Sequence, residues 1–593
     1  MFLPGSIIRY GGTKPSTPRF GFYVAGILGL FSALGIGCGR SSAAPTRSSR
    51  NAVASDPMPA EWFQEATIGS GIKFVHRAGT NYSMPDQIGA GVVVFDCDGD
   101  GLQDLYFVQN GGTQTSAHNQ LYRQRSDGIF ENISEGSGAD LVGQGMGAIA
   151  GDVNNDGRPD LVVTEYGAVR LLENLGNGHF RETLRVGLDN PHWAVPASFI
   201  DFDRDGWLDL VVGNYVDYDP TQTCVDALGR PDFCAPRSFG PTLTRLWRNV
   251  TGRPGAEPRF EDRTVGSGLA RVPGMALGMV AADLNGDGWP DLFIADDGRP
   301  NRLFINQKNG VFIEEAAWRG LAFNAMGHTA ANMGIAFADV DGDGLGDLFV
   351  THLSGEFHAY YHQDQPGLFR DEIAPAELQQ MAWRGTGFGV VFADFDLDGK
   401  PDLILVNGLV QRAEAGQTPV AQGVSPWWAR YAQKAQVFSN RGGGRFRDIS
   451  AANPALCGSA MVGRSLAIAD LDRDGKLDLV LSGAGGPARI YHGIASTDGH
   501  WLHVRLVDEA HGGRDELGAE LVLHAGQRQW WAVLQPATSY LVSHEPALHF
   551  GLGSETKIDY LEVHWPEGSV ERFAGGTVNR RMVLRKGEGS TRL

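Results

Sequence analysis

Seven short stretches of this chain carry the residue types and spacing of a site for a hard metal ion. Each reads D-x-[DN]-x-D-G-x-x-D: DCDGDGLQD, DVNNDGRPD, DFDRDGWLD, DLNGDGWPD, DVDGDGLGD, DFDLDGKPD and DLDRDGKLD. Carboxylates at alternate positions of a tight loop converge on one point, and calcium takes six to eight oxygens at about 2.3–2.6 Å. In the first loop Asp96, Asp98, Asp100 and Asp104 supply side-chain oxygens, and the carbonyl of Leu102 adds a backbone ligand. Gly101 permits the sharp turn between the two halves. The second and third loops offer Asp152, Asn154, Asp156 and Asp160, then Asp201, Asp203, Asp205 and Asp209. The fourth and fifth offer Asp283, Asn285, Asp287 and Asp291, then Asp339, Asp341, Asp343 and Asp347. The last two offer Asp394, Asp396, Asp398 and Asp402, then Asp470, Asp472, Asp474 and Asp478. Four carboxylates so close would repel one another without a counter-ion. The cofactor expected is Ca²⁺, up to seven ions.

Charge supports that reading. The net charge is −19, from 69 acidic and 50 basic side chains, and the seven loops hold 26 aspartates. Without the loops the chain would be net basic, so its acidity belongs to them. An acidic balance of this size also argues against a nucleic-acid partner.

The loops are not EF-hands, which need a glutamate at position twelve and a helix on each side. Position twelve is Phe107, Val163, Val212, Ile294, Val350, Leu405 and Leu481, apolar in every copy. Strands flank the loops instead. Short apolar runs precede them, such as Val92-Val93-Val94-Phe95, and others follow, such as Leu105-Tyr106-Phe107-Val108. A third strand (Asn119-Gln120-Leu121-Tyr122 in the first repeat) and a glycine turn into a fourth (GGGRFRDIS at 442–450) complete each unit. Four short strands repeated in series make propeller blades, and 81 glycines suit the many turns. The seventh repeat lacks a fourth strand of its own, while residues 61–67 read as one without a blade. The ring is therefore expected to close by pairing its two ends.

The chain resembles the FG-GAP/VCBS repeat propellers, the class of the integrin α-chain head. Residues 61–585 are similar to one branch, the ASPIC/UnbV and cartilage acidic protein-like family. The stretches that carry the likeness are Gly71-Ile72-Lys73-Phe74-Val75-His76, the Cys224–Cys234 insertion with Leu246-Trp247-Arg248-Asn249, LHFGLGS (548–554) and VHWPEGSVE (563–571). Arg514-Asp515-Glu516 departs from the Asn-Arg pair that is more usual there. The resemblance implies a secreted, calcium-loaded binding protein.

The fold expected is all-β: a seven-bladed integrin-α-like β-propeller over 60–498 with a small C-terminal β domain over 499–587. Residues 1–38 read as an export signal and 39–59 as a flexible tether. Cys38 follows an apolar run in a setting that resembles a lipoprotein cleavage box; a plain secretory peptide and an uncleaved anchor are the alternatives. The destination is the bacterial periplasm, the outer membrane or the exterior, with membrane contact only through such a lipid anchor. An oxidising compartment favours a Cys224–Cys234 bridge, whereas Cys97 and Cys457 read as small buried residues.

No catalytic constellation stands out: there is no HExxH, GxSxG, Walker loop or CxxC. His500, His503 and His511 lack zinc-ligand spacing. Trp427, Trp428 and Tyr431 are candidates for an aromatic platform that binds a sugar or a partner protein, against the plainer role of covering the propeller face. The function expected is a binding or adhesion module for a glycan, matrix or protein partner, with structural calcium. A propeller-scaffolded hydrolase or lyase, or a periplasmic assembly factor, is the alternative.

Overall fold

The computed structural model describes residues 60–591, apart from 112–116, 381–382 and 414–418. The expected export signal, Cys38 and the expected tether lie outside the described residues. Among the described residues, seven sheets are each built on four antiparallel strands in series, and two of them carry a fifth strand; together they form the propeller. Their first strands are Val92–Phe95, Gly145–Gly151, Ala194–Ile200, Ala276–Ala282, Ile335–Ala338, Gly387–Ala393 and Gly463–Ala469. These strands neighbour one another in sequence order, and the last returns to the first.

The unbroken apolar runs follow from this stacking. Each sheet is covered on both faces, so its inner strands have no side that faces water. Val93 and Phe95 of the first sheet pack with Ala148 and Ala150 of the second. Val92 and Val94 pack the other way, against Ala467 and Ala469 of the seventh.

Closure is as the sequence anticipates. Phe63–Glu65 pairs antiparallel with Arg489–Gly493, in the register Phe63↔Gly493 and Glu65↔Tyr491. The Trp62 amide donates to Asn453 Oδ1 at 2.8 Å, and Phe63 meets Phe395 edge-on at 5.3 Å. Phe63 is fully buried. We expect Phe63→Ala to cost about 3–5 kcal/mol in equilibrium denaturant unfolding, the range for a buried phenylalanine. A loss below about 1 kcal/mol would mean that this strand does not hold the ring shut.

The C-terminal region is a β sandwich of two sheets. One contains His500–Asp508, Leu548–Gly553 and Arg580–Arg585; the other contains Glu520–Ala525, Arg528–Val533, Lys557–His564 and Val570–Thr577. Its core, which includes Val504, Leu523, Leu561 and Trp565, runs on into Ile149, Phe199 and Trp247 of the propeller. The two parts therefore share one apolar core, and the described residues belong to one compact unit. The segment from Pro536 to Ala547 leaves the sandwich and enters the propeller axis. Val542–Ser543 pairs in parallel with Val92–Val93. Ser539 and Ile335 exchange both backbone hydrogen bonds, at 2.6 and 2.9 Å. Tyr540 donates its hydroxyl to the Ile88 carbonyl at 3.3 Å.

Candidate metal centres

All seven acidic loops join the first strand of a sheet to its second, so they share one face of the propeller. Each begins with an aspartate that accepts the amide N–H of the loop's sixth residue, always glycine, at 2.6–3.3 Å. That glycine has φ between 83° and 90° in every copy, where a Cβ is disfavoured. The fourth position is left-handed too, with φ between 54° and 84°, although it is Asn155, Arg204, Leu397 or Arg473 in four loops.

The ninth aspartate opens the second strand and is buried. One carboxylate oxygen accepts the N–H of the loop's second residue at 2.9–3.3 Å. The other accepts an N–H from the third strand at 2.7–2.9 Å. These aspartates thus tie three parts of each blade together. The fold would need them with or without an ion.

The donor set suits calcium. Oxygens of Asp96, Asp98 and Asp104 lie within 4.8 Å of one another, as do those of Asp201, Asp203 and Asp209. Burial, reinforced by neighbouring carboxylates, pushes Asp104 and Asp201 up to about 7 and Asp291 up to about 8. Burial raises Asp160, Asp209 and Asp402 well above the usual carboxylate range. Hard oxygen donors crowded in this way, and disfavoured as bare anions, are what a divalent cation neutralises. Asp96, Asp98, Asp100 and Asp104, with their counterparts in the other loops, would hold the ion.

One third-strand position distinguishes the loops, and the sequence motif does not include it. It directly precedes the residue whose N–H bonds the ninth aspartate. Its occupants are Arg123, Glu173, Arg248, Ile305, His362, Ser439 and His492. His362 Nδ1 lies 3.0 Å from Asp347, which raises that imidazole to about 9. His492 Nδ1 lies 3.2 Å from Asp478. Arg248 reaches furthest: Nε is 2.5 Å from Asp203 and Nη2 is 2.6 Å from Asp205. Its guanidinium neutralises the third loop from within. Arg248→Ala is expected to tighten calcium binding there by about tenfold, roughly 1.4 kcal/mol. Calorimetric calcium titration of the two proteins checks this, and identical isotherms would refute it.

The aromatic candidates do not form an open platform. Trp428 is 1 % exposed and Tyr431 is fully buried. They pack on Phe233 at 5.8 and 5.7 Å, and the partly buried Trp427 packs on Tyr82 at 5.2 Å. Three insertions meet in this cluster, on the face away from the acidic loops. Burying these rings joins the insertions into a cover, which leaves no face of Trp428 or Tyr431 for a ligand. Cys224 and Cys234 are bridged within the same cover. Cys97 and Cys457 are free and buried.

The FG-GAP-like repeat family matches residues 96–163, 152–212, 283–350, 339–405 and 427–481. The ASPIC and UnbV family matches residues 509–591. The chain is an FG-GAP-repeat protein with an ASPIC/UnbV domain. The ASPIC/UnbV domain is thus the sandwich that sends its segment into the axis. The chain is 25 % identical over 526 residues to cartilage acidic protein 1 of Xenopus tropicalis, covering 84 % of this chain and 73 % of that protein. It is 26 % identical over 522 residues to the Mus musculus protein of the same name, covering 82 % and 72 %. Among solved structures, the BP39L lectin from Burkholderia pseudomallei aligns with a TM-score of 0.40 and 12 % identity, over 69 % of this chain and 97 % of the lectin.

Proposed function

We propose that this protein is an exported calcium-binding β-propeller that acts as a binding or adhesion module for a glycan, matrix or protein partner, and not as an enzyme. The observation that supports this best is one carboxylate cradle repeated seven times on one face of the ring. Aspartates held by backbone N–H groups and committed to a cation are not free for acid–base work. Calcium in this reading is structural: it neutralises the loops and stiffens the blades that present the binding surface. The Cys224–Cys234 bridge suits an oxidising compartment. The aromatic cover buries the candidate rings on one face of the propeller, so this reading places recognition on the opposite face and the ASPIC/UnbV domain there.

The test is affinity capture with the calcium-loaded protein from detergent-solubilised cell envelope and from extracellular matrix. A partner retained with calcium and released by chelator is expected. Equal capture in both conditions, or none in either, would count against the proposal.

A further inference from the structure

A cavity of about 800 Å³ lies between the ASPIC/UnbV domain and the fifth, sixth and seventh blades. Its size is that of a ligand pocket. Every residue from Gly526 to Pro536 lines it. A strand seen face-on contributes alternate residues, so the strand Arg528–Val533 must border the cavity with its edge. That strand is the outermost of its sheet. Across the cavity, the runs from Ala336 to Asp339 and from Val391 to Asp394 are also consecutive. They are the axis-facing edges of the fifth and sixth blades.

The backbone groups on these edges can be assigned. Arg528 pairs with Ala525 across a two-residue turn, and the Leu534 amide donates to Ala519. Even-numbered residues therefore bond inward, and Gln529 and Trp531 turn their N–H and C=O outward. Ile335 turns its backbone groups to the axis, where Ser539 meets them. Phe337, two residues on, points the same way. Val390 donates axially to Ser539 Oγ at 3.0 Å, so Phe392 points to the axis as well. No backbone partner meets these outward groups of Gln529, Trp531, Phe337 or Phe392 among the described residues.

The rest of the axis shows what such edges accept. The domain's own segment fills it as extended chain, pairing with Val92–Val93 and bonding Ile335. From these edges we infer that the cavity takes a second extended segment, a peptide from another protein, by strand addition. Trp531 and Phe337 meet edge-on at 5.9 Å beside it and offer an apolar wall, so alternate apolar residues would suit the peptide. Gly342, Gly443 and Gln527 are exposed at its margin, which leaves an entrance. Asp339, Asp341 and Asp394 also line it, so calcium in the fifth and sixth loops would brace the walls. This inference rests on the binding-module reading and specifies its site and ligand class.

The test is selection of a displayed library of random linear peptides on the full calcium-loaded protein, with an array of neutral and acidic oligosaccharides in parallel. Selected peptides are expected to lose affinity on the order of tenfold when N-methylated at every second residue, and little at the residues between. Gln529→Pro removes an outward N–H and no ladder bond, so it should weaken binding similarly, whereas Gln529→Ala should not. If Gln529→Pro fails to fold, the N-methyl series on the unaltered protein still decides. Peptide binding without the two-residue alternation, oligosaccharide binding in place of peptide, or no binder would each overturn the inference. A natural partner captured equally by wild type and a folded Gln529→Pro would leave the binding-module reading standing and remove this site.

Discussion

Chelation is expected to collapse the stability of this protein, and more steeply at pH 8 than at pH 5. Each loop occupied at a hundredfold excess over its Kd contributes about 2.7 kcal/mol by mass action. A few such loops equal the 5–15 kcal/mol that holds an ordinary domain together, on the order of its whole stability. The pH effect follows from the raised aspartates. Asp104, Asp201 and Asp291 bind protons in the folded, metal-free state up to about pH 7–8. Unfolded aspartates release theirs near pH 3.9. Between those limits the folded state holds more protons, so metal-free stability falls as pH rises through the window. Bound calcium would replace those protons and flatten the dependence. Thermal melts with calcium and with excess chelator, each at pH 5 and pH 8, provide the check. A calcium-induced rise in Tm no larger at pH 8 than at pH 5 would refute the argument.

The second large effect is expected at Arg581. Its guanidinium lies 2.8 Å from Asp470, the first residue of the seventh loop, and 2.6 Å from Glu545 in the axial segment. Both carboxylates are buried. Burial alone would raise Glu545, but His503, 2.9 Å away, and Arg581 together hold it down at about 2. Arg581→Ala would leave two buried carboxylates short of a partner, a change that costs about 3–5 kcal/mol when a buried pair is broken. The loss should be largest without calcium, because an ion in the seventh loop would neutralise Asp470 by another route. Denaturant unfolding of wild type and variant, with and without calcium, measures it. A loss below about 1 kcal/mol in chelator would show that this contact does not anchor the axial segment.

The acidic loops and the closing strand were legible because their information is local. An aspartate at every second position, a glycine at the sixth, and apolar runs on both sides occur within a dozen residues. The conformation at the fourth position was not, since Leu397 and Arg473 are residues that rarely adopt positive φ. Backbone N–H groups drawn to Asp394 and Asp470 hold those loops in shape and override the local preference. Arg248 and His492 escaped notice for a related reason. They become loop neighbours only when the third strand pairs, which the motif does not register. The axial segment was hidden altogether. Ser539 and Val542 fall within the stretch expected to be the small C-terminal β domain, and their partners Ile335 and Val92 lie hundreds of positions earlier. Trp428 and Tyr431 could be read as platform or cover, and only the meeting of Phe233 with them decides for cover.

The strand at Phe63–Glu65 sets a schedule for how this molecule can be made. Its partners Tyr491 to Gly493 lie far along the chain, and Thr67 just after the strand bonds Ile490, 423 residues away. The segment that fills the axis is synthesised later still. A growing chain therefore carries an open ring, with an empty centre and a bare edge on its last blade, until nearly all of it has emerged. Such long-range pairing is slow, because loop closure must precede the contacts that reward it. Under the export proposed above, an unfinished ring of this kind would suit passage through a translocon. The pairings that close the ring and fill its centre both depend on residues near the C-terminal end of the described chain.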